Sequence, residues 1–199
     1  IAHLQIQFSA GFQLFKVIFV FFNGILAQFY GFALTGVFTA VGKTPAAKVC
    51  YFVSYATTEK EMAKDIKRLQ ELIKDKTFTY PVYLDIEKDT QRNLGKERLT
   101  GLIGTYMTEM FNAGWFPALY TNNDFLQNAM LSDTVTAKYD VWFAAYKSMA
   151  PNVAPYSAQY GMWQYTCTGT VGGVTAAVDI DLAFKNYPSM MREYHFNGY

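Results

Sequence analysis

Hydrophobic and polar positions switch between two periods from about residue 47 onward. Val49-Cys50-Tyr51-Phe52-Val53-Ser54-Tyr55 is a β-branched and aromatic run of strand length. Thr58 and Glu61 then have capping-box spacing, in which the hydroxyl accepts from the third backbone N–H and the carboxylate reaches back. Met62, Ile66, Leu69 and Ile73 follow at helical spacing, with Glu and Lys on the other face. Thr79–Glu87 predicts a second strand, entered through Pro81. Lys96 to Ala113 predicts an amphipathic helix that buries Leu99, Leu102, Ile103, Tyr106 and Met110 and stops at Gly114. Phe116–Tyr120 predicts a third strand, and Asn122–Met130 a short helix capped by Asn122. After Asp133 the helical period fades. Tyr139–Tyr146, Gly161–Thr166 and Val174–Phe184 read as strands joined by loops. Strand–helix alternation implies a parallel sheet with right-handed crossovers. An alternation that decays into strands implies a barrel whose last helices are missing.

The first 45 residues have a different character. Val17 to Gly42 is 26 residues without a charge, long enough to cross a membrane. Asn23, Gln28 and four glycines interrupt it, and Val17–Phe22 clusters aromatic and β-branched residues as a buried strand does. Barrel strands and a helix are therefore expected there rather than a membrane span. All 16 Asp and Glu residues lie from Glu59 onward.

Composition narrows the chemistry. The 199 residues are 51% apolar, enough to bury one core. Charged residues are 17%, the net charge is +1, and no Lys/Arg run stands out, which excludes an electrostatic nucleic-acid binder. Two cysteines, Cys50 and Cys167, exclude a disulfide framework and a Cys-only zinc site. Two histidines, His3 and His195, argue against His-rich metal chemistry and a Ser-His-Asp triad. No metal or cofactor is expected, so carboxylates and aromatics must carry any reaction.

Tyr83-Leu84-Asp85-Ile86-Glu87 places two acids at i and i+2, hence on one face at a strand's C-terminal end. In a barrel of parallel strands that end forms the active-site mouth. Two close carboxylates cannot both ionise freely, and an apolar surround holds one protonated, which supplies the acid that glycosidic cleavage requires. Val178-Asp179-Ile180-Asp181 is a second such pair. Trp142-Phe143-Ala144-Ala145-Tyr146 and Trp163-Gln164-Tyr165 add aromatics and an amide at successive strand ends. Aromatic faces stack on sugar rings, while Gln, Asp and Tyr pair with sugar hydroxyls. Taken singly, each aromatic reads as core packing; their recurrence beside acids points to a carbohydrate site.

The order Tyr55-Ala56, Tyr83-x-Asp85-x-Glu87, Tyr120, Trp142-x-Ala144-x-Tyr146, Trp163-Gln164-Tyr165, Gly169-x-Val171-x-Gly173 and Val178-Asp179-x-Asp181 closely resembles glycoside hydrolase family 25. These are lysozymes that act as N-acetylmuramidases. The resemblance covers roughly residues 45–184 of a single domain, 1–199; it leaves 1–45 poorly matching and 185–199 as a C-terminal tail. It implies an α/β fold, an irregular TIM-like (β/α)5(β)3 barrel. It also implies a secreted, monomeric hydrolase of bacterial cell-wall peptidoglycan. In that family frame Glu87 is the general acid/base, Asp85 assists it or steadies the substrate's 2-acetamido group, and Asp179 completes the acidic cleft. Tyr55, Tyr83, Tyr120, Trp142, Tyr146, Gln164 and Asp181 would bind substrate. Cys50 and Cys167 are expected as buried thiols, although a secreted protein permits a bridge.

The sequence departs from the family in one place. Family members carry an active-site Asp in the first strand, and Ile1–Ala10 holds no acid. Either the chain starts after that Asp or the carboxylate is lost, and the second case leaves a non-catalytic peptidoglycan- or sugar-binding protein on the same fold. Inverting, retaining and substrate-assisted hydrolysis all remain open; substrate assistance needs no protein nucleophile and suits a chain without a first-strand base.

Overall fold

The computed structural model describes residues 15–19, 33–38, 47–146, 154–170 and 177–199, the first two segments and residues 154, 155 and 157 as backbone alone. The remainder of Val17–Gly42 and the whole of Ile1–Ala10 lie outside the described residues. The strands are β1 Phe15–Phe19, β2 Ala33–Phe38, β3 Ala47–Val53, β4 Val82–Asp85, β5 Pro117–Asn122, β6 Val141–Ala144, β7 Met162–Gly169 and β8 Val178–Ala183. They form one sheet in the order β1-β8-β7-β6-β5-β4-β3-β2, whose two end strands approach one another. Strands β3 to β7 run parallel, while β2, β8 and β1 pair antiparallel with their neighbours. The fold is thus an irregular TIM-like α/β barrel. Among the described residues no helix is long and apolar enough to cross a membrane, and the uncharged N-terminal stretch contributes β2 and the last three residues of β1.

Helix α1 Glu59–Ile73 begins as its spacing requires. Thr58 Oγ1 accepts from Glu61 N at 3.2 Å, and Glu61 Oε2 accepts from Thr58 N at 3.1 Å. Its buried residues are Met62, Ile66, Leu69 and Ile73. Helix α3 Lys96–Asn112 packs beside it and ends at Gly114, whose φ of 84° suits a residue without Cβ. Asn122 caps α4 Asn123–Asn128 by accepting from Phe125 N at 3.0 Å. Three short helices have too few buried positions to show a period: α2 Asp89–Arg92, α5 Ser132–Lys138 and α6 Ala154–Gln159. Helices α5 and α6 correct the reading of residues after Asp133 as strands and loops alone, and α2 falls in a stretch for which no element was expected. The strands predicted at Thr79–Glu87 and Tyr139–Tyr146 narrow to β4 and β6, although Ile86 N still donates to Tyr120 O and Ala145 N to Gln164 O, each at 3.1 Å. Of the strand predicted at Val174–Phe184, β8 is Val178–Ala183, and residues 174–176 lie outside the described residues.

Two apolar clusters sandwich the sheet, and the period of two sorts residues between them. Along β4, Val82 and Leu84 join the outer cluster beneath α1 and α3, while Tyr83 joins the inner one. Along β6, Val141 and Phe143 face out and Trp142 faces in; along β7, Trp163 faces out and Met162 in. The inner cluster is closed from below by α7 Tyr187–Glu193, which contributes Tyr187, Met190 and Met191. The segment expected only as a tail is therefore part of the floor. Asn197, fully buried, ties it there: its Nδ2 donates to Tyr80 O at 2.7 Å, and its Oδ1 accepts from Phe116 N at 2.7 Å.

Candidate active site

An open cleft of about 170 Å³ occupies the mouth, lined by Tyr51, Asp85, Glu87, Tyr120, Trp142, Gln164 and Asp179. Six adjoining strands, β3 to β8, each supply one inward residue, and Glu87 follows β4. Register explains the ring. Asp85 pairs with Tyr120, and Tyr120 with Trp142, so alternation delivers an acid, a phenol and an indole side by side.

Asp85 and Glu87 do share a face, at different depths. Asp85 is 5% exposed and one of its oxygens, Oδ1, is buried with no hydrogen-bond partner. Burial raises its pKa to about 8, the negative Glu87 adds to the shift, and Lys88 opposes it. Asp85 therefore holds its proton at neutral pH. Glu87, beyond the strand end, is partly exposed and accepts from Asn122 Nδ2 at 3.5 Å. Its backbone is pinned on both sides. Thr121 Oγ1 donates to Ile86 O at 2.8 Å, Ile86 N donates to Tyr120 O at 3.1 Å, and buried Gln91 joins the next turn to Ser54 O at 3.0 Å.

Asp179 and Asp181 also separate by depth. Asp179 stands in the cleft, where burial raises its pKa to about 6. Asp181 points inward two residues deeper and is fully buried. Its Oδ1 accepts from Trp142 Nε1 at 2.7 Å, its Oδ2 has no partner, and burial raises its pKa well above the usual carboxylate range. Asp181 thus holds the indole in place rather than lining the cleft. Tyr83 is likewise not a lining residue: it is fully buried beneath Asp85, edge-on to Trp142 at 5.0 Å. Tyr120 meets the other side of Trp142 edge-on at 4.8 Å. An i, i+2 spacing fixes the face, and the depth depends on where each strand stops.

The remaining expected residues sit at the rim. Tyr55 and Tyr146 are each 57% exposed, Tyr55 under Lys88 Nζ at 5.5 Å from its ring centroid and Tyr146 donating to Gln164 Oε1 at 3.0 Å. Tyr51 was not expected in the cleft; its place opposite Tyr83 on the inward face of β3 was readable from the alternation of that strand. Cys50 is a buried free thiol, but Cys167 is exposed, which corrects the expectation of two buried thiols. Strand β7 loses regular pairing after Gln164, so its last residues turn out to solvent. Among the described residues no group of His, Cys, Asp and Glu could hold a metal ion. A proton-holding acid beside further carboxylates, walled by aromatics, can bind a sugar and move a proton at its linking oxygen.

The family model for glycosyl hydrolases family 25 matches residues 23–174, about three quarters of the chain. Solved structures share the fold. The modular autolysin LytC from Streptococcus pneumoniae, in complex with a synthetic peptidoglycan ligand, superposes with a TM-score of 0.55 at 26% identity, covering 66% of this chain and 32% of the autolysin. The catalytic domain of endolysin ply40 from bacteriophage P40 of Listeria monocytogenes gives 0.56 at 19% identity, covering 71% and 69%. The CTP1L endolysin gives 0.56 at 20%, covering 72% and 49%. The chain spans about a third of the length of the autolysin and half that of CTP1L. No curated protein sequence matches it.

Proposed function

The chain belongs to glycosyl hydrolases family 25, and we propose that it is a peptidoglycan hydrolase cutting the β-1,4 bond between N-acetylmuramic acid and N-acetylglucosamine, with residues 1–199 as one catalytic domain. The observation that carries this reading is the cleft itself: Asp85, Glu87 and Asp179 converge at the mouth beside Tyr120, Trp142 and Gln164. The autolysin with which it superposes was solved with a peptidoglycan ligand, which supports a cell-wall substrate and action outside the cytoplasm.

In this reading Glu87 is the general acid: like Asp179 it reaches solvent at the mouth, and its backbone is held on both sides by hydrogen bonds at Ile86 and Gln91. Protonated Asp85 donates a hydrogen bond to the substrate, a role open to a carboxyl kept neutral by burial. Asp179 supplies negative charge opposite Asp85 as positive charge develops on the sugar ring. Trp142, clamped by Asp181, Tyr83 and Tyr120, gives the ring an apolar wall.

A second reading has one observation in its favour. No acid precedes Glu59, so neither β1 nor β2 can add a carboxylate to the site, as a sugar-binding protein without turnover would tolerate. One experiment separates the two. Purified peptidoglycan is incubated with the wild type and with Glu87→Gln, and the released fragments are identified by mass spectrometry. Muropeptides ending in reducing N-acetylmuramic acid, absent with the variant, support hydrolysis; wall binding without fragments supports the second reading.

A further inference from the structure

Gln164 is almost wholly buried, at 2% exposure, yet forms part of the cleft wall. Its side-chain oxygen accepts two phenolic hydrogens, from Tyr120 at 3.0 Å and from Tyr146 at 3.0 Å. An amide oxygen has two lone pairs, so both are taken up. The two phenols come from the β5 and β6 sides and meet at the same atom, and Tyr146 also lies within hydrogen-bonding reach of Tyr120 and Cys167. Turning the amide over would make both phenols accept from the NH2 group and would take the carbonyl oxygen away from their two hydrogens, so the observed arrangement, with Oε1 between the phenols, leaves Nε2 as the amide's remaining donor. Among the described residues no group accepts from Nε2, and it is not a buried orphan.

We propose that Gln164 is a specificity-determining residue held as an obligatory donor, and that it reads a substrate oxygen carrying no hydrogen, the carbonyl oxygen of a sugar's acetamido group. This rests on the carbohydrate-cleft reading given above. A hydroxyl can rotate to offer a hydrogen or a lone pair and would make little use of a fixed amide. An acetamido carbonyl only accepts, and the free ammonium left by de-N-acetylation only donates. Gln164 faces the ammonium donor to donor. A site built to hydrogen-bond one group rejects the analogue lacking it, because its buried polar atom is then unpaired. The carboxylates of the same cleft attract an ammonium, so the discrimination must be read as a difference between variants rather than from one affinity.

The test measures binding without turnover, in the full chain carrying Glu87→Gln, by the change in tryptophan fluorescence. The probes are soluble N-acetylglucosamine oligomers and the same oligomers after chemical de-N-acetylation. Gln164→Glu keeps the shape and still accepts from both phenols but loses the N–H; Gln164→Met loses the N–H without adding charge. Both changes are expected to weaken binding of the acetylated oligomer, by roughly 3- to 10-fold. Neither should weaken binding of the de-N-acetylated oligomer, and Gln164→Glu should strengthen it. Equal weakening for both oligomers, or no change for the acetylated one, overturns the proposal while leaving the sugar cleft standing. Absence of binding to either oligomer by the parent overturns both.

Discussion

The floor and the mouth of this barrel bury the same residue type under opposite conditions. At the floor, the nearly buried Asp140 has Lys185 Nζ at 2.9 Å and Tyr187 Oη at 3.0 Å from one carboxylate oxygen. At the mouth, Asp85 and Asp181 have no cation within ion-pair distance among the described residues; all three acids leave one buried oxygen without a partner, Asp140 Oδ1 included, so the cation is what separates the two ends. An unpaired carboxylate out of water is costly, so these two acids keep protons instead. The floor is arranged for stability and the mouth holds groups that a stable fold alone would not select.

Breaking each end should therefore give different losses. Glu87→Gln is expected to lower wall hydrolysis by about 10²–10⁴-fold, because an amide has no proton for the leaving oxygen. Its melting temperature should stay near that of the wild type, as measured by thermal unfolding beside a reducing-end assay. Asn197→Ala should do the reverse. It strands Tyr80 O and Phe116 N in the floor, at a cost of about 2–3 kcal/mol, or some 5–10 °C in melting temperature. Activity per folded molecule, read below the transition, should persist. Gly161→Ala tests the floor from another direction: a Cβ there would overlap Asp140 and Tyr187, so a smaller but clear loss of stability is expected, with the cleft intact.

The pH dependence sharpens the same contrast. With Asp85 raised to about 8 and near 3.9 when unfolded, the native state binds the extra proton between those values. Stability from this group is then full below about pH 4 and is lost as pH rises through about 8. Asp85→Asn removes that slope, so the variant should melt higher than the wild type above pH 8 and equally at pH 4, while losing activity. For catalysis, a proton on Glu87, an ionised Asp179 and a protonated Asp85 are all required in the proposed roles. Activity should fall below about pH 6 and above about pH 8, with limbs that belong to the coupled group. Asp179→Asn is expected to flatten the acid limb of the pH–rate profile.

Much of this was legible in the chain because local rules suffice for it. The Thr58–Glu61 capping box, the four buried positions of α1 and the turn at Gly114 each depend on neighbours within a few residues. The inward face of Asp85, Trp142, Gln164 and Asp179 follows from alternation. Depth does not, since it depends on where β4 and β8 stop pairing, and this is why Tyr83 and Asp181 were expected among the substrate contacts but lie below them. Helices α2, α5 and α6 were missed because four to seven residues carry no readable period. The floor was missed because Asn197 acts through contacts more than 80 residues away in the chain.

The contrast between floor and mouth rests most directly on the protonation state of one residue. Carbon-13 NMR of aspartate-labelled protein, with Asp85→Asn used to assign the signal, follows that carboxyl through a pH titration. The account predicts a neutral Asp85 at pH 7 and a midpoint near 8. An Asp85 signal that is already ionised at pH 7, with a midpoint close to the ordinary value of about 3.9, would contradict it.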